Sequence, residues 1–229
     1  MHPGCGIQLA YKIINDSEIF AGRKPELKTK AKIKQEQIQP PVYVSPATAL
    51  HFLESEKFTK LSDPTAAQPG SIVIIDDKTA SANVSSLMQA KNIICVCVNV
   101  SGEQRIATQM GIDGWSATAS IAFYDDFIAK LKKAATLTGR RYIEVLTPCP
   151  RPWKTEPANT VEIARQAVET GFWPLFEIDS GKFTLSYKPV KLANTDAFVG
   201  LQKLIAPDRA QLEKSWRLVT LGKIFESRA

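Results

Sequence analysis

Gly70-Ser-Ile-Val-Ile-Ile75 and Asn92-Ile-Ile-Cys-Val-Cys-Val98 are short, unbroken apolar runs set between turn residues. Their length is that of a strand. The absence of polar alternation marks strands buried on both faces, as in a parallel sheet covered by helices. Asp76 and Asp77 follow the first run, and Asn99 closes the second. Between them Ser81 to Ala90 reads as a helix, which completes a strand–helix–strand unit.

The same alternation extends outward. Val42-Tyr-Val44 is a strand candidate, and Ser45-Pro46 opens a helix to about Leu61, with a capping hydroxyl before proline in the first turn. Downstream, Ser101-Gly102 turns the chain and a short helix spans Gln104 to Met110. Gly114 to Ala122 reads as strand then loop. Tyr124 to Leu137 is an amphipathic helix with Phe127, Ile128, Leu131 and Ala134 on one side. Tyr142-Ile-Glu-Val-Leu146 is the next strand, and Thr160 to Thr170 is a helix closed by Gly171. Asp179-Ser-Gly181 joins two strands as a hairpin, and two charged helical pieces follow, about Asn194 to Leu204 and Pro207 to Phe225. Upstream, Ile7, Ala10, Tyr11 and Ile14 carry helical spacing. The expected fold is α/β, a mainly parallel sheet flanked by helices with a C-terminal hairpin and helical tail. Residues 1–180 form the α/β domain and 181–229 an extension that contacts a partner.

The chain has 229 residues with 44% hydrophobic and 23% charged side chains, a globular balance that excludes disorder along its whole length. No apolar run reaches the roughly 18 residues of a membrane span. The opening residues lack the basic-then-apolar layout of a secretion signal. The expectation is a soluble, cytoplasmic protein with no membrane partner. Its net charge of +6 permits an acidic partner without demanding nucleic acid, and none is expected. Arg23 to Glu36 carries six basic and two acidic residues and reads as a solvated segment, with an acidic-partner patch as the alternative.

Cys95 and Cys97 share one face of their strand and read as small buried hydrophobes. Cys5 and Cys149 sit instead among Gly and Pro, in Pro3-Gly-Cys-Gly6 and Thr147-Pro-Cys-Pro-Arg-Pro-Trp153. Such loops hold a thiolate rigidly and expose it, which suits a metal or cluster ligand. In open α/β sheets ligands bind beyond the carboxyl ends of the strands, where Asp76, Asp77, Asn99 and Cys149 all fall. Turn-forming and helix-capping carboxylates are the alternative there. His51, beside Leu50 and Leu53, reads as a packed or surface side chain rather than a catalyst.

Tyr142-Ile-Glu-Val-Leu-Thr-Pro-Cys-Pro-Arg-Pro-Trp153 and Thr160-Val-Glu-Ile-Ala-Arg-Gln-Ala-Val-Glu-Thr-Gly-Phe-Trp-Pro-Leu-Phe-Glu177 resemble the thiamine-diphosphate-binding beta subunit of the pyruvate:ferredoxin oxidoreductase family, which includes other 2-oxoacid:acceptor oxidoreductases. His2-Pro-Gly-Cys-Gly-Ile-Gln-Leu-Ala-Tyr11 is similar to that subunit's opening Cys-x-x-Cys-Gly segment, and Ala117 to Phe127 to the stretch before its last cluster cysteine. The resemblance implies a thiamine-diphosphate-binding fold and a complex with other oxidoreductase subunits, acting indirectly on ferredoxin. It further implies oxidative decarboxylation of a 2-oxoacid such as pyruvate, with thiamine diphosphate on Mg and a [4Fe-4S] cluster.

The chain departs from the family at its working parts. Where the family has Gly-Asp-Gly and a later Asn for the cation, Ile75-Asp-Asp-Lys78 and Asn99 stand here, so both glycines are lost. Those glycines let backbone approach the diphosphate. The following loop, Val100-Ser-Gly-Glu103, is shortened. Cys5 and Cys149 match two cluster ligands, His2 replaces a third, and the fourth has no match, whereas such a cluster takes four thiolates. The residues implied for the cofactor are Asp76, Asp77 and Asn99, and for the cluster Cys5 and Cys149. The expected role is a beta-type subunit with an eroded catalytic site and a structural function; the alternative is a catalytic subunit with a divergent site. The aromatics Phe172, Trp173, Phe176, Phe183, Tyr187, Phe198 and Trp216 are more than a short tail buries alone, which points to a partner interface, with burial against the chain's own sheet as the alternative for about half.

Overall fold

The structure, a computed structural model, describes residues 5–17, 42–43, 71–89, 93–102, 106–203 and 209–220. Seven strands form one sheet: β1 Val42–Tyr43, β2 Ser71–Asp76, β3 Ile93–Asn99, β4 Trp115–Ser120, β5 Arg141–Leu146, β6 Phe176–Asp179 and β7 Lys182–Leu185. Their spatial order is β1-β2-β3-β5-β4-β6-β7. The first five pair in parallel; β6 and β7 add antiparallel at one edge. The helices are α1 Gly6–Asp16, α2 Asp77–Ala82, α3 Val84–Gln89, α4 Ala107–Met110, α5 Tyr124–Thr136, α6 Pro150–Trp153, α7 Thr160–Glu169, α8 Thr195–Leu201 and α9 Arg209–Thr220. The expected α/β architecture with its C-terminal hairpin is what the chain adopts. The hairpin turn falls at 180/181, and β7 continues the same sheet.

The apolar runs carry residues for two core layers, because successive side chains on a strand point to opposite faces. Ile74, Ile94, Val96, Val98, Ile143 and Val145 meet Ala10, Ile13 and Ile14 of α1 and Phe127 and Leu131 of α5. On the other face Ile75, Cys95, Cys97 and Tyr142 meet Ala80, Leu87 and Met110. A third cluster, with Leu146, Trp153, Ile163, Trp173, Leu175 and Phe198, packs beyond the strand tips. Fully burying one such side chain contributes about 1.5–3 kcal/mol, so each layer is a substantial stabiliser.

Two local expectations change. The helix expected from Ser81 begins at Asp77, directly after β2, and restarts after Asn83. Asp77 in the first turn favours that earlier start, since a carboxylate there complements the helix dipole. At the break, Asn83 N–H donates to the Ala80 carbonyl at 3.2 Å and Leu87 N–H to that of Asn83 at 3.0 Å. The short helix expected from Gln104 begins at Ala107. Of the aromatics read as a partner interface, Trp173, Phe176 and Phe198 are fully buried in the chain itself, the alternative expected for about half of them, and Phe172, Phe183, Tyr187 and Trp216 are half-buried. Phe172 lies against Phe198, Phe176 against Phe183, and Tyr187 against Phe123, so sheet, α8 and loops share the load. The Arg23–Glu36 segment, the Ser45–Leu61 helix, His2 and His51 lie outside the described residues.

Candidate functional site at the strand tips

Parallel pairing brings the C-terminal ends of β2, β3 and β5 level. Asp76 pairs with Val98, and Asn99 with Leu146. Asp76 is half-buried at its tip, and Asp77 is buried at the start of α2. The Asp77 carboxylate accepts a hydrogen bond from Ser101 N–H at 3.1 Å. It therefore holds the loop that leaves the neighbouring strand.

Asn99 is completely buried. Its Nδ2 donates to Glu144 Oε1 at 2.8 Å, and its Oδ1 accepts from Gly102 N–H at 2.7 Å. Its main-chain carbonyl accepts from both Thr147 N–H at 2.8 Å and Thr147 Oγ1 at 3.1 Å. Glu144, on β5, is the residue the sequence reading missed. It is 1% exposed, and its second oxygen accepts from Ile106 N–H at 3.0 Å and Ala107 N–H at 2.9 Å. A lone acid inside Tyr142-Ile-Glu-Val-Leu146 was the available signal, since a carboxylate buried in a sheet must find partners. Gly102 turns the loop at φ +73°, and a Cβ there would lie 3.1 Å from the Trp153 ring. The Trp153 indole N–H donates to the Val100 carbonyl at 2.5 Å. The 99–102 loop is thus tied from three directions.

The segments carrying Cys5 and Cys149 meet. Gly6 N–H donates to the Pro148 carbonyl at 3.1 Å, and a Cβ on Gly6 would stand 2.8 Å from that oxygen. Only glycine permits this approach. It brings together the two segments that carry the cysteines. Each precedes a helix in extended backbone, Cys5 before α1 and Cys149 before α6. Both are thiols, and both are buried, at 5% and 7% exposed. This corrects the expectation of exposed thiolates. Burial pushes the Cys149 thiol up, and neighbouring Cys5 adds to this against the opposing Arg151 N–H. Cys95 and Cys97 are buried in β3 as expected.

These residues do not fit the groups that the resemblance implies. A cation of the size of Mg takes oxygen ligands in near-octahedral array, whereas the Asn99 amide is turned into the protein and bonded at both ends. A cubane cluster takes four thiolates, whereas of the four cysteines only Cys5 and Cys149 lie at these loops, Cys95 and Cys97 being buried in β3. Among the described residues no group of three or more His, Cys, Asp or Glu side chains is arranged to hold a metal ion. Among them, too, no helix is long and apolar enough to cross a membrane.

The chain was compared with known proteins. It is 45% identical over 87 residues to pyruvate synthase subunit PorB of Methanocaldococcus jannaschii, a match covering 38% of this chain and 29% of that one. Its likeness is to 2-oxoacid oxidoreductase subunits. Ketoisovalerate oxidoreductase subunit VorB of Pyrococcus horikoshii is 35% identical over 122 residues, 48% of this chain and 39% of its own length. Pyruvate synthase subunit PorB of Thermotoga maritima is 33% identical over 128 residues, 50% of this chain and 40% of its own length. The chain thus spans well under half the length of these relatives. No family model matches it.

Proposed function

We propose that this chain is a beta-type subunit of a 2-oxoacid:ferredoxin oxidoreductase complex in which the thiamine pocket has become part of the protein's own scaffold. The observation that carries this reading is the engagement of Asn99. The amide that stands where the family's cation ligand would stand spends both its ends on Glu144 and Gly102. Thiamine diphosphate, when bound in an enzyme, supplies a nucleophilic carbon and an electron sink for decarboxylation. In this chain the strand-tip residues instead fix a loop: Asp77 holds Ser101 and Trp153 holds Val100. Their role is to keep the sheet's carboxyl end rigid as a surface for the complex's other subunits.

Calorimetric titration of the purified complex with thiamine diphosphate and Mg²⁺ tests this. The expected result is no saturable binding attributable to this chain, together with stable co-purification with other oxidoreductase subunits. Micromolar binding that is lost in Asp76→Ala or Asp77→Ala would overturn the reading in favour of the catalytic alternative. Failure to associate with any such subunit would remove the proposed complex.

A further inference from the structure

We infer that β7 is a docking edge that takes an extended segment of a partner protein, one alternating acidic with apolar side chains, as a further strand of the sheet. The ladder defines the free edge. β7 is the last strand, with β6 its one neighbour among the described residues. Ser180 and Gly181 both take positive φ, 50° and 81°, in a two-residue turn that matches the twist of the hairpin. Asp179 faces Lys182, and Glu177 faces Thr184. Ser180 N–H donates to the Gly114 carbonyl, just before β4, at 2.9 Å, and Phe176 N–H to Thr118 Oγ1 on β4 at 3.0 Å. Even-numbered positions of this strand therefore face β4, and odd-numbered ones face β7. On β7's side, Ser186 N–H donates back to the Leu175 carbonyl at 3.0 Å. By the alternation of an antiparallel ladder, the main-chain groups of Lys182, Thr184 and Ser186 point to β6. Those of Phe183 and Leu185 point out of the sheet, with no strand across from them among the described residues.

Three features decide what this edge takes. Its backbone is held ready: Gly181 N–H donates to the Gly111 carbonyl at 2.9 Å, pinning the turn against the end of α4, and the Phe183 ring lies 5.1 Å from that of Phe176. One face is apolar and incompletely covered. Phe183 and Leu185 pack against the layer of Ile75, Cys95 and Met110 yet stay half-buried. A strand laid alongside, about 4.8 Å away, places apolar side chains beside them. The other face and its continuation are basic. Lys182, Lys188 and Lys191 are all exposed, and residues 182–195 hold no acid. Glu177 and Asp179 stand on β6, one strand further in, and Glu177 is already paired with Lys133. β7 itself contributes only the Lys182 ammonium to that face's charge, so acidic side chains on the incoming strand are favoured there and lysines repelled. Main-chain bonds then supply the affinity, and the alternate side chains the selectivity. β4 and β6 separate this edge from β5, and its use does not depend on what the strand tips hold.

The test is titration of the full chain with a blocked synthetic peptide alternating glutamate and valine, read by calorimetry and by amide hydrogen exchange. The controls are the same peptide with lysine for glutamate, and the glutamate peptide N-methylated at every residue, which cannot extend a ladder. The expected result is saturable binding of the glutamate peptide and of neither control. Exchange at the Phe183 and Leu185 amides should slow at least about tenfold on binding, as new hydrogen bonds form. The Lys182 and Thr184 amides, already bonded to β6, should keep their protection. Lys182→Glu should weaken binding about threefold or more, with the hairpin's own protection unchanged. Unaltered exchange at Phe183 and Leu185, or equal binding of either control, would overturn the inference. So would protection of those two amides in the free chain that is lost on dilution, since a second copy would then hold the edge. The peptide readout uses the unaltered chain and stands even where the Lys182 variant folds poorly.

Discussion

Asn99 and Glu144, 45 residues apart, join side chain to side chain at 2.8 Å across the neighbouring strands β3 and β5. Through this one bond a strand-tip amide and a mid-strand carboxylate become a single structural unit. The unit also gathers Gly102, Ile106 and Ala107.

Removing the carboxylate is therefore costly. Glu144→Ala removes the carboxylate that accepts from Asn99 Nδ2 and from two buried backbone N–H groups, and each such loss costs about 1–3 kcal/mol. Urea denaturation should show a loss of at least about 3 kcal/mol. Glu144→Gln keeps one acceptor oxygen and should lose less than half of that. Equal losses in the two variants would contradict this account.

Gly6→Ala tests the docking of α1. The added methyl would sit 2.8 Å from the Pro148 oxygen and 2.9 Å from the Thr147 carbonyl carbon, both backbone atoms that cannot swing aside. Overpacking of this kind costs about 1–3 kcal/mol. Hydrogen exchange should quicken first at the Ile13 and Ile14 amides, while β3 and β5 keep their protection.

Lys130 is 1% exposed and donates to the Thr118 carbonyl at 2.7 Å, to Asp126 at 2.5 Å and to Ser186 at 2.7 Å. Burial, opposed by Asp126, still lowers its pKa below the ordinary 10.5. The unfolded chain then holds this proton more tightly than the folded one. The group's contribution to stability is lowest below the folded pKa and rises with pH until 10.5. Lys130→Met should abolish that rise in the urea midpoint and cost about 2–3 kcal/mol at neutral pH, by orphaning the Thr118 carbonyl and Asp126.

Thiol reactivity should divide the cysteines. Burial, reinforced by the Glu144 charge, pushes Cys95 and Cys97 far above the usual thiol range. Iodoacetamide should leave both untouched in the folded chain at neutral pH and modify both after denaturation, as read by peptide mass spectrometry. Rapid labelling of either in the native protein would contradict their placement.

The sheet was readable because its central strands are buried on both faces, and that leaves an unbroken apolar run such as Ile94 to Val98. Helices such as α5 and α7 announce themselves by period. What escaped was long-range. Nothing local in Tyr142-Ile-Glu-Val-Leu146 says that Glu144 will meet Asn99, because the meeting depends on β3 and β5 lying side by side while β4, between them in sequence, lies outside β5. The burial of the aromatics is hard to read locally for a related reason. Phe172, Trp173 and Phe198 look surplus along the chain, yet Leu146, Trp153 and Ile163 return from elsewhere to cover them. The strand-tip residues Asp76, Asp77 and Asn99 were located correctly, since position along a parallel strand is a local property. The partners of their side chains were not.

The Gly6–Pro148 clasp also sets a timetable. α1 emerges from the ribosome early, but its docking site is finished only when the loop after β5 has been made, more than a hundred residues later. Until then its apolar side, with Ala10, Ile13 and Ile14, has no native seat and waits as exposed surface. Contacts so distant in sequence form late and slowly, so a nascent chain stalled before residue 148 carries a sticky amphipathic helix, a natural target for a chaperone.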